Sequence, residues 1–78
     1  MSEIDDVKKR MEEVYEIRCA IGAEYMEYVT KLVDVPPGDT EQYAYYAGKL
    51  EDLEESTNVN KDLYRGLVDK LRELENGN

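Results

Sequence analysis

Both prolines of this 78-residue chain stand side by side near its middle, in Val35-Pro36-Pro37-Gly38-Asp39. Pro36 holds Val35 in extended geometry and ends any helix that arrives from the N-terminal side. Gly38 permits a turn, and Asp39 with Gln42 three residues later fits the start of a new helix as a variant of the capping box. Each side of the turn is a long segment without proline. The chain is therefore expected to be all-α, with a first helix over about 2–34, a turn over 35–39 and a second helix over about 40–75, in a single domain spanning 1–78. Ser2 is placed to cap the first helix, with Glu3, Asp5 and Asp6 in its first turn complementing the positive end of the dipole. Asn76-Gly77 supplies a stop signal for the second. A turn this short makes the helices antiparallel neighbours, an αα-hairpin.

Heptad spacing supports the pairing. Ile4, Val7, Met11, Val14, Ile21, Tyr25, Tyr28 and Leu32 recur at the three-four spacing of one helix face. Tyr43, Tyr46, Leu50, Leu53, Tyr64, Leu67, Leu71 and Leu74 do so in the second segment. Ser56-Thr57-Asn58-Val59-Asn60 has modest helix propensity, and Asn60 could cap a third helix, so a three-helix bundle broken there is the alternative. Leu53, Thr57, Asn60 and Tyr64 keep the heptad phase across the stretch and favour continuity. Arg18 occupies a seam position opposite this region. It is expected to form a polar layer with Thr57 and Asn60 that fixes helix register. The competing reading turns Ile17 into the seam and leaves Arg18 reaching to the edge.

The first helix carries a second apolar stripe, Tyr15, Cys19, Gly22, Met26, Val29 and Val33, beside the seam. Tyr43 to Gly48 in the second segment is apolar or small all the way round. A helix apolar over so wide an arc must bury it somewhere, and one neighbouring helix cannot cover both stripes. A lone hairpin of this size also encloses little core. Two hairpins are therefore expected to dimerise into a four-helix bundle. Tyr15, Cys19, Gly22, Met26, Val29, Val33, Ala44, Tyr45 and Gly48 are expected at the interface, either with a second copy or with another protein. Tyr25, Tyr28, Tyr43 and Tyr46 are expected to fill the seam near the turn.

Charge and missing residues narrow the function. The chain has 10 basic and 19 acidic residues, a formal net charge of −9, and both halves share the excess. Nucleic acid is not an expected partner, because phosphate binding needs clustered Lys and Arg. There is no His and one Cys. Carboxylates stack at helical spacing, as Glu12 with Glu16, Glu24 with Glu27 and Glu51 with Glu55, but bundle di-metal sites built this way also require His. Ser2 and Ser56 are the only serines, and no glycine-rich phosphate loop is present. No enzymatic activity, metal or cofactor is expected. The acidic N-terminus lacks the apolar core of a signal peptide, no segment is apolar enough to span a bilayer, and a lone cysteine suits a reducing compartment. These features point to a cytoplasmic protein–protein interaction module. It would be homo-oligomeric and serve as an adaptor, assembly factor or regulatory subunit. The alternative is an acidic inhibitor that occupies the basic nucleic-acid-binding surface of another protein.

Overall fold

A computed structural model describes residues 2–77. Two helices, α1 (Glu3–Val33) and α2 (Thr40–Asn76), account for nearly all of them, and no strand occurs among the described residues. Met1 and Asn78 lie outside the described residues.

Local chemistry sets the ends of both helices. Ser2 is in extended geometry, and its hydroxyl accepts a hydrogen bond from the Asp5 N–H at 3.2 Å. Asp39 Oδ1 accepts from the Gln42 N–H at 3.1 Å in the same way. Each cap satisfies one of the donors a helix start leaves unpaired. The turn closes through the Val35 N–H to the Leu32 carbonyl and the Asp39 N–H to the Pro36 carbonyl, at 3.2 and 3.1 Å. Gly38 has φ +93°, a backbone angle that side chains disfavour, so a glycine is needed there.

α2 runs unbroken through Ser56-Thr57-Asn58-Val59-Asn60, which overturns the three-helix alternative. Two side chains explain why the stretch does not break. The Thr57 hydroxyl donates to the Leu53 carbonyl at 2.9 Å, within its own helix. Asn60, the residue able to cap a new helix, uses both ends of its amide across the seam instead.

The hairpin is a thin rod of 62 × 16 × 12 Å, with a Cα radius of gyration of 17.9 Å. A compact domain of this length would have a radius near ~11.5 Å. Its interior is correspondingly small. Among the described residues only Val7 (5% exposed), Val14 (1%) and Asn60 (4%) are buried, and the other seam leucines and tyrosines are half-buried or more open.

Candidate functional site

The buried centre of the hairpin is polar. Asn60 Nδ2 donates to the Val14 carbonyl at 2.8 Å, and Asn60 Oδ1 accepts from Arg18 Nε at 2.9 Å. The Arg18 guanidinium also lies 5.2 Å from the centre of the Tyr64 ring, within cation–π range. Arg18 thus takes the seam, and Ile17, the competing candidate, is 50% exposed beside it. Thr57 is half-buried at its seam position, and its hydroxyl donates to the Leu53 carbonyl at 2.9 Å rather than to Asn60. Tyr64 adds its ring to the layer beside Arg18. Among the described residues no buried side-chain nitrogen or oxygen lacks a partner, so the layer is fully satisfied.

Nearer the turn the helices meet through tyrosines. The Tyr28 and Tyr46 rings are 6.1 Å apart, and Tyr45 packs edge-on against Tyr46 at 5.4 Å. Lys31 and Lys49 sit over Tyr28 and Tyr45. Tyr25 donates its hydroxyl to Glu54 Oε1 at 3.1 Å. That hydrogen bond to a carboxylate raises the Tyr25 pKa, with lesser contributions from desolvation and from the Glu54 charge. Tyr43 departs from expectation. It is 57% exposed and lies against Leu32, Val35 and Pro36 at the turn. It belongs to the first turn of α2, beside the end of the hairpin where the chain reverses.

The expected interface residues are mostly open. Tyr15, Cys19, Gly22, Met26, Val33, Ala44 and Tyr45 are exposed, and Val29 and Gly48 are half-buried. They do not form one surface. Tyr15 lines a shallow groove with Met11 and Tyr64, and Gly22 lines another with Tyr25, Glu54 and Lys61, both on one flank of the hairpin. Tyr45 is about five whole turns from Leu63 at 3.6 residues per turn, so the two share a helix face. Leu63 belongs to the opposite flank, in a groove with Arg10, Ile17, Ile21 and Val59. Tyr45 therefore stands across the hairpin from the Tyr15–Val33 stripe.

This opposite flank is an apolar surface that the sequence reading missed. Ile17, Val59 and Leu63 are each half exposed or more, side by side across the two helices. The signal was present: Val59 and Leu63 are one turn apart, and Ile17 is adjacent to a seam position. It was hidden because the patch is shared between two helices, and on neither helix alone does it form a stripe.

Among the described residues no group of three or more His, Cys, Asp or Glu side chains could hold a metal ion, and no helix is long and apolar enough to cross a membrane. Comparison with protein-family models, curated proteins and solved structures gives no match.

Proposed function

We propose that this chain is a small acidic protein–protein interaction module of the cytoplasm. It works as a homo-oligomer, two hairpins in a four-helix bundle, in the role of an adaptor, assembly factor or regulatory subunit. One observation carries the reading. Among the described residues only Val7 and Val14 are buried apolar residues, whereas eight large apolar side chains are 50–77% exposed. They are divided between the two flanks and the turn, and covering Ile17, Val59 and Leu63 alone is worth on the order of 5 kcal/mol per chain before the cost of association. A 16 × 12 Å cross-section cannot cover them from within the chain. Sedimentation equilibrium tests the reading. A mass of two chains is the expected result, and a stable, folded single chain would rule it out.

A second reading has its own support. Glu12, Glu16, Glu24, Glu27, Glu51 and Glu55 are all exposed, and the net charge is −9. An acidic antagonist of a protein with a basic groove would present such a surface. Salt separates the two readings. Ion pairing weakens steeply as ionic strength rises, while association through apolar area is nearly indifferent to it.

A further inference from the structure

The self-association proposed above leaves open which flank the second copy covers. We infer that it is the flank of Ile17, Val59 and Leu63, with a second copy of this chain packed antiparallel across a two-fold axis at Ile17. The inference rests on the reading that the chain is homo-oligomeric.

Three observations support it. The first is charge. Arg10 lines this flank together with Ile17. Glu3 reaches Lys70 across the same flank at 3.9 Å. Stepping from Ile17 by sevens, about two turns at a time, gives Arg10 and Glu24, then Glu3 and Lys31. The signs reverse about the centre. A two-fold axis at Ile17 sets Arg10 of one chain against Glu24 of the other, and Glu3 against Lys31, each pair occurring twice. A helix with this pattern is complementary to its own reversed copy. The present partners of these groups, Glu13 for Arg10, Glu27 for Lys31 and Lys70 for Glu3, are exposed pairs. Such pairs are weak and exchange readily. On α2 the same axis brings Ser56 to Leu63 and sets Lys49 near Lys70. That seam therefore supplies no attraction between charges, and α1 sets the orientation.

The second is position. α1 spans residues 3–33 and α2 spans 40–76, so their midpoints fall beside Ile17 and Val59. A two-fold axis there overlays the two rods along their whole length. The Tyr15–Val33 stripe lies toward the turn, and pairing through it would leave the ends of both hairpins overhanging. The stripe residues from Tyr15 to Val33 are themselves uncharged, and the charges lining the groove at Tyr15, namely Lys8, Glu12 and Glu16, gather at its N-terminal end rather than about its centre.

The third is area. The chain exposes 5966 Å². A compact protein of 9.1 kDa exposes about 4,900 Å². The excess, about 1,100 Å² per chain, is close to the ~800 Å² that each partner contributes to a stable interface of standard size.

The test combines mass, cross-linking and charge exchange. In a Cys19→Ser background, Ile17→Cys is expected to give a covalent dimer with a short bismaleimide, and Met26→Cys is not. Arg10→Glu is expected to raise the dimer dissociation constant about tenfold or more, and adding Glu24→Arg to restore it. A dimer that cross-links through position 26 and not 17 would overturn this inference while leaving self-association intact. So would one in which the two charge changes simply add. A single chain by sedimentation at every concentration would overturn both.

Discussion

The Asn60 amide has a donor end and an acceptor end, and the hairpin uses both, one on the Val14 carbonyl and one on Arg18. Truncation by Asn60→Ala leaves the Arg18 guanidinium without its acceptor beside the buried Val14. The expected loss is about 2 kcal/mol by urea denaturation. Replacing both members, as Arg18→Leu with Asn60→Leu, is expected to keep or raise the melting temperature, since a polar seam layer costs stability. The centre of the seam then has no polar contact to fix its register, and the helices can pair at more than one offset. Spin-label distances between α1 and α2 should broaden from one population to more than one. Tyr25 makes a pH prediction. Its raised pKa favours the protonated hydroxyl in the folded chain, so its contribution is complete below about pH 10 and is lost as pH rises through the folded midpoint. Glu54→Ala removes the acceptor and should bring the Tyr25 midpoint, read by NMR titration, down toward about 10. Arg18 and Asn60 were legible as polar seam positions because heptad phase places them opposite each other. Tyr64 was not legible as Arg18's companion, because a tyrosine at a seam position reads as core.

At the scale of the elements, the ends were the easiest features to read. Ser2 and Asp39 cap helices through contacts three residues away, and such contacts are written in the local sequence. Gly38→Ala is expected to cost about 1 kcal/mol, because φ +93° is strained for any residue with a Cβ even though the surrounding space is open. The continuity of α2 was harder. Local propensity favours a break near Asn60, and heptad phase favours none. The residues that decide between them, Val14 and Arg18, lie more than forty positions away in sequence. Because α2 is continuous through residues of modest helix propensity, exposed Asn58→Ala should stabilise the hairpin by about 0.5 kcal/mol, measured as a higher urea midpoint with an unchanged slope.

For the whole molecule, the proposed bundle would bury apolar area that a single hairpin leaves open, so its stability should depend on the chain's own concentration. A tenfold increase is expected to raise the melting temperature by about 5 °C, and a concentration-independent melt would count against the bundle. The sequence made the excess of apolar surface legible, since two stripes on one helix exceed what one neighbour can cover. It did not show how that surface divides. Periodicity on each helix alone leaves their relative rotation open, and that rotation sends Tyr45 to one flank and the Tyr15–Val33 stripe to the other. The division has a consequence for valency. If a copy closes the Ile17 flank, the two Tyr15–Val33 stripes face outward on opposite sides of the bundle and run in opposite directions. No single flat target can touch both. The dimer would then gain avidity only from a target that wraps around it or presents two separated sites, and would otherwise bridge two bound molecules in a two-to-two assembly.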